Sequence, residues 1–255
     1  MGTDSFPRRR PPTAYDMNLF INHLFSDNPA DRFYFLTVVL VVVISIVLHE
    51  LAHGWAAIRL GDPTPQVQGR MTGNPLVHMG PFSLVALAIA GIAWGQMPID
   101  PGRLRGRHGD AIVSAAGPAM NLLLALACML LLGVLMGIWG LASVPAAALN
   151  FSGSTISEAA GLSALQGNLM QLLAVGATYN LLLMFFNLLP APPLDGSHIL
   201  ASYSRPYARL VGDPKHQGMF MLLFIGAFML AGRPLIDLSL RLMNAGTGLV
   251  CGLWG

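Results

Sequence analysis

Polar residues along this chain fall in clumps, and the runs between them are too long and too evenly apolar for the one-sided stripe of a soluble helix. Phe33 to Ile58 is broken only by His49, Glu50 and His53, and Ala111 to about Gly137 and about Leu169 to Leu189 are comparable runs. Phe82 to Met97 is shorter, at 16 residues, and Gly218 to Gly232 is short unless it continues past Arg233 toward Leu242. Crossing ~30 Å of hydrocarbon takes about 20 helical residues, so the first, third and fourth runs predict full spans. The second and the last are ambiguous by length, and the second is re-entrant or interfacial if both of its ends lie inside. The expected fold is an all-α polytopic membrane protein with about five or six membrane segments, plus a short β-strand near Val67 to Thr72.

Composition agrees. Charged residues make up 10% of the 255 and hydrophobic ones 54%, against about 25% charged in soluble domains. Twelve acids and fourteen bases cannot cover a soluble surface, and a net charge of +2 gives no footing for nucleic acid. A cytosolic enzyme, a nucleic-acid reader and a disordered chain are therefore excluded, and the lipid bilayer is the expected solvent. Cys128 and Cys251 make no disulfide framework. Residues 1–32 read as a flexible tail, basic at Arg8 to Arg10, with an interfacial helix near Met17 to Phe25. Residues 33–243 read as one membrane-embedded domain and 244–255 as a tail. The first apolar run starts too late for a signal peptide, and the connection from about Arg59 to Asp110 is too short for a further domain.

Basic residues orient the spans. Arg103, Arg105 and Arg107 mark one loop as cytoplasmic, and Arg205, Arg209 and Lys215 mark another, while about Ile138 to Asn168 carries no Lys or Arg and faces outward. The first span then runs inward, which leaves Arg8 to Arg10 outside against the rule unless a further crossing precedes Phe33.

His49-Glu50-Leu51-Ala52-His53 lies within the first span. Side chains four apart share a helix face, so both imidazoles reach one metal while the Glu between them stands beside the water that the metal activates. Such groups are costly at membrane depth and normally functional there. At about 1.5 Å per residue, His53 and His49 lie roughly 8 and 14 Å from the end of the run at Ile58, the cytoplasmic end. Catalytic zinc takes three protein ligands. The position of a third metzincin-type His is Arg59, and the only other Glu, Glu158, sits on the outward loop. His78, His108, His198 and His216 remain as candidates, but Asp195 fits best. It follows the fourth span directly, after prolines 190, 192 and 193 that forbid a regular helix. Irregular backbone survives at membrane depth only where it is buried or lines a wet cavity. The bland alternative is a turn residue before Gly196.

These residues resemble the site-2 protease family of intramembrane zinc metalloproteases in its compact prokaryotic form. The matching stretches are 49–53, Gly117-Pro118-Ala119-Met120-Asn121, Asn187 to Gly196 and, less specifically, Gly69 to His78. The resemblance covers about Leu36 to Leu200. It implies that His49, His53 and Asp195 bind zinc, that Glu50 is the catalytic base and that Asn187 holds substrate backbone beside the metal. Asn121 would line the site, with a polar helix–helix contact as its alternative, and Gly117 would allow close helix approach. It further implies cleavage of a transmembrane protein substrate from a prokaryotic plasma membrane, with the active site nearer the cytoplasmic face. Ser197 stands where the family often has a second Gly.

Overall fold

In a computed structural model, residues 19–141 and 161–254 are described; the basic cluster Arg8 to Arg10 lies outside them. Helix α1 spans Pro29–Arg59, α2 is one turn at Thr64–Val67, α3 spans Pro75–Ala90 and α4 Gly109–Ile138. Then come α5 at Ala164–Asn187, α6 at Asp195–Tyr203, α7 at Arg205–Gly212 and α8 at Gln217–Cys251. Four helices are long and apolar enough to cross a membrane: α1, α4, α5 and α8 together with the turn before it.

Local chemistry sets the boundaries. Asn28 and Pro29 open α1, and the Asn28 side chain accepts a hydrogen bond from the Ala30 N–H. Asn74 and Pro75 repeat the device on α3, and Ser163 with Gln166 forms a capping box on α5. In α3, Gly80 takes a left-handed φ of 67° and Pro81 follows it, so the helix is broken there. Gly91, at φ 71°, ends it. The chain then doubles back along α3. Trp94 exchanges two hydrogen bonds with the Ser83 hydroxyl, at 2.8 and 2.7 Å, and the Gln96 N–H donates to the His78 carbonyl at 3.1 Å. The ambiguous second apolar run is thus a short broken helix with a return segment, and both ends reach the same side.

Three expectations change. No strand forms among the described residues, and Val67 to Thr72 is instead the end of a helical turn followed by bends. Pro63 and Pro65 fix the backbone there, Gly69 adopts φ 65°, and the N–H groups of Arg70 and Thr72 bond locally to Pro65 and Arg70. No row of donors is left for a ladder. Within Met17 to Phe25, a 3-10 turn at Phe20–His23 packs inward, with Phe20 stacked on Phe35 at 4.8 Å. The last helix runs unbroken through Arg233 and Pro234 to Cys251, so the boundary expected at 243 falls inside it.

Helix α4 is the central element. It packs on α1 and α5, with Gly176 against Cys128, and takes the second half of α8, with Gly246 over Met129 and Gly133 over Val250. One core cluster lies among α4, α5 and α8 around Leu132, Met170 and Met243, and another lies among α1, α3 and α5 around Val38, Leu87 and Val175.

Beyond the end of α1, the fully buried Asp62 ties the connection down. Its carboxylate accepts from the Thr64 N–H and hydroxyl and from the Asp100 N–H at 2.8 Å. Burial raises its pKa, but those donors and the Arg103 charge outweigh burial and hold it below the usual value. A depressed folded pKa stabilises above the unfolded value, near ~3.9, and that stability is lost as pH falls through the folded one. Asp62→Asn sets an amide N–H against backbone donors. It is expected to cost about 1–3 kcal/mol at pH 7 and to weaken the acid dependence below about pH 4, read by thermal unfolding in detergent.

Candidate active site

His49, Glu50 and His53 sit on one buried face of α1, at 7%, 7% and 5% exposure. Asp195 is brought to them from the other end of the sequence. After α5 ends at Asn187, the proline-rich stretch turns back, and Asp195 is the first residue of α6. Ser197 holds that start, its N–H and hydroxyl both donating to the Leu194 carbonyl. Gly196 lies so close to the carbonyls of Leu188 and Leu189 that any Cβ would fall within 3.0 Å of them.

Among the described residues, His49, His53 and Asp195 form the one cluster with metal-ligand geometry. The two Nε2 atoms are 3.0 Å apart, and they lie 3.1 and 3.4 Å from the two Asp195 oxygens. Ligands about 2.0–2.1 Å from a tetrahedral zinc stand roughly 3.3–3.4 Å from one another. Both outer nitrogens are occupied. His53 Nδ1–H donates to the Val113 carbonyl at 2.7 Å, and His49 Nδ1–H donates to Asn121 Oδ1. Each neutral ring therefore presents a bare Nε2 lone pair inward. Two lone pairs facing each other beside a carboxylate repel unless a cation lies between them. Asp195 Oδ2 is also buried with no hydrogen-bond partner among the described residues. The donor set, N, N and O with an open side, fits zinc.

A polar chain braces the rings from behind. Asn121, at 0% exposure, donates to Asn180 Oδ1 at 2.9 Å, and Asn180 donates to the Gly176 carbonyl at 2.8 Å. Partners of this kind fix tautomer and ring orientation. Gly117 lies under the rings, where a Cβ would come within 3.0 Å of both Nε2 atoms. Gly95, in the return segment, passes Glu50 and Ile46 so closely that a Cβ would come within 3.0 Å of both.

The structure thus brings together His49, His53 and Asp195, with Glu50 between the histidines and Asn121 behind them. Asn187, the last residue of α5, donates its amide to the Leu183 carbonyl at 3.0 Å. His78, His108, His198 and His216 stay out of the cluster. Sequence reasoning missed Asn180, the Val113 carbonyl and Gly95. Asn180 alone carried a signal, as a polar residue inside an apolar span.

Comparison with known proteins agrees with this geometry. Residues 37–231 match peptidase family M50. YwhC of Bacillus subtilis (strain 168), classed by name among zinc metalloproteases, is 34% identical over 221 residues, 81% of this chain and 90% of YwhC. Rip2 of Mycolicibacterium smegmatis, classed likewise, is 31% identical over 75% of this chain and 66% of Rip2. Rip2 of Mycobacterium tuberculosis (strain H37Rv) is 30% identical over 77% and 68%. No solved structure matches. With its paired histidines, the Glu between them and an aspartate closing the set, the chain belongs to peptidase family M50, the site-2 protease family of zinc metalloproteases.

Proposed function

We propose that this protease works inside the bilayer, hydrolysing a peptide bond in or next to a transmembrane helix of a membrane-protein substrate, as in regulated intramembrane proteolysis. The observation that carries the reading is the position of the cluster, buried on an apolar membrane-length helix with both histidines already oriented by neighbouring spans. His49, His53 and Asp195 hold the metal. Zinc, when bound, supplies a Lewis acid that polarises the scissile carbonyl and eases deprotonation of water. Glu50 takes the proton of the attacking water and delivers it to the leaving amine. Asn121 keeps the His49 ring in its tautomer, and Asn187, at the end of α5, hydrogen-bonds substrate backbone.

A helical substrate hides its carbonyls in its own hydrogen bonds and has to unwind first. The return segment offers it an edge. Trp94 spends its N–H and carbonyl, and Gln96 its N–H, on α3, and Gly95 between them lies against Glu50 with no side chain in the way. An unwound substrate segment pairs there by backbone hydrogen bonds. The arginines at 103, 105 and 107 support a site nearer the cytoplasmic face, and the membrane is read as a prokaryotic plasma membrane.

The test is cleavage in proteoliposomes of a panel of single-span substrates, with the cut mapped by mass spectrometry. A cut within the span, or within a few residues of it, is expected. Cleavage confined to soluble peptides, with every single-span substrate left intact, contradicts the reading.

A further inference from the structure

Helix α7 carries charge that the reaction described above does not use. It lies in the connection between the spans α5 and α8, on the side that the basic loops mark as cytoplasmic. Arg205 and Arg209, four apart, share one face of it, and Tyr207, two from each, points the opposite way. Both arginines are exposed, as is Lys215 just beyond, while Tyr207 and Val211 are half-buried. None of the three cations has an acidic partner among the described residues. The nearby acid, Asp213, accepts instead from the Lys215 backbone N–H at 3.0 Å and lies 3.7 Å from His216 Nδ1.

Basic residues flanking a span ordinarily need no partner but water. The other face of α7 makes this helix different. The Tyr207 hydroxyl donates to the Pro190 carbonyl at 2.9 Å, in the proline-rich stretch that leads from α5 to Asp195. Ser204 both ends α6 and caps α7. Its N–H donates to the Leu200 carbonyl at 2.9 Å, and its hydroxyl oxygen accepts from the Tyr207 N–H at 3.4 Å. Both ends of the segment that carries Asp195 are thus fastened to α7, one by a side chain and one by a single shared residue.

We propose that the basic face of α7 binds anionic lipid headgroups of the cytoplasmic leaflet, and that this contact steadies residues 190–204 and with them Asp195. Charge complementarity selects the partner. An amphipathic helix between two spans, with unpaired cations on its outer face, lies where the negative headgroups of that leaflet are concentrated. Tyr203 beside it is 67% exposed, an aromatic of the kind that sits at headgroup depth. The effect on the site rests on Asp195 holding the metal of a protease at work in the bilayer, whereas the lipid contact does not.

The test compares wild type, Arg205→Gln/Arg209→Gln/Lys215→Gln, Arg205→Lys/Arg209→Lys and Tyr207→Phe in two kinds of vesicle, phosphatidylcholine alone and an equal mixture with phosphatidylglycerol. Native mass spectrometry of the extracted protein reads the lipid retained, and hydrogen–deuterium exchange reads residues 188–204. Wild type is expected to retain phosphatidylglycerol over phosphatidylcholine, by about fivefold for each cation engaged. It is also expected to exchange more slowly over 188–204 in the mixed vesicles. The lysine pair should behave as wild type does, and the triple glutamine variant should lose both effects. Tyr207→Phe should keep the lipid and lose the slowing over 188–194. Cleavage of a single-span substrate should rise about threefold to tenfold with phosphatidylglycerol in wild type and stay flat in the triple variant, since a ligand shifts an equilibrium only by its differential affinity. A triple variant that retains phosphatidylglycerol as wild type does, or a wild type that retains both lipids equally, overturns the lipid contact. Slowing that is absent in wild type, or that survives over 188–194 in Tyr207→Phe, overturns the link to the site. If wild type cuts nothing, the protease reading fails by itself, and lipid retention and exchange still decide for α7.

Discussion

Glu50→Gln is expected to fold, to bind about one zinc per chain as wild type does, and to lose cleavage by about 100-fold to 10,000-fold, the usual contribution of a positioned acid–base group. Glutamine preserves the volume of a side chain buried between two histidines, so packing against Ile46 and Gly95 is undisturbed. What disappears is the carboxylate that accepts a proton. The three groups read as ligands are untouched, so metal content and activity separate. Zinc per chain by mass spectrometry and kcat on a single-span substrate measure the two. Loss of zinc in Glu50→Gln would make Glu50 a structural partner of the site, and retained turnover would move the base elsewhere.

Gly117→Ala is expected to be as damaging for the opposite reason. The added methyl lands within 3.0 Å of His49 Nε2 and His53 Nε2, the atoms that face the metal. Neither ring has an easy retreat, because their far nitrogens are bound to Asn121 and to the Val113 carbonyl. Helix α4 carries both Gly117 and Val113, so moving it away breaks the His53 bond as well. Zinc per chain should fall well below one and cleavage with it, while thermal unfolding of the metal-stripped protein shifts by no more than a few degrees. Full zinc occupancy in this variant would contradict the placement of the metal over Gly117.

Both effects are legible in the sequence to different degrees. The spans could be read because lipid imposes a minimum length and removes charge. The histidine pair and Glu50 could be read because a helix puts residues four apart on one face. Asp195 could be reached because three prolines forbid helix where the chain should still be at membrane depth. The rest depends on contacts between distant segments. Asn180 stands out as a polar residue inside an apolar span, but what it braces, like the role of the Val113 carbonyl, is decided only where α5 and α4 pack beside α1. The Val67 to Thr72 stretch misled, since its pattern looks strand-like. Pro63 and Pro65 just before it and the positive φ at Gly69 instead turn its donors onto local carbonyls. Gly95, like Val113, carries no signal of its own. Its lack of a side chain has meaning only once the return segment is seen against Glu50.

The central claim is that one metal sits between α1 and the start of α6. The most direct measurement is zinc per chain in purified, folded wild type, His49→Ala, His53→Ala and Asp195→Ala. About one zinc in wild type and well under half in each variant is predicted, because catalytic zinc is held by three protein ligands and each side chain supplies one. Wild type without zinc, or Asp195→Ala with its full complement, would contradict the site as described.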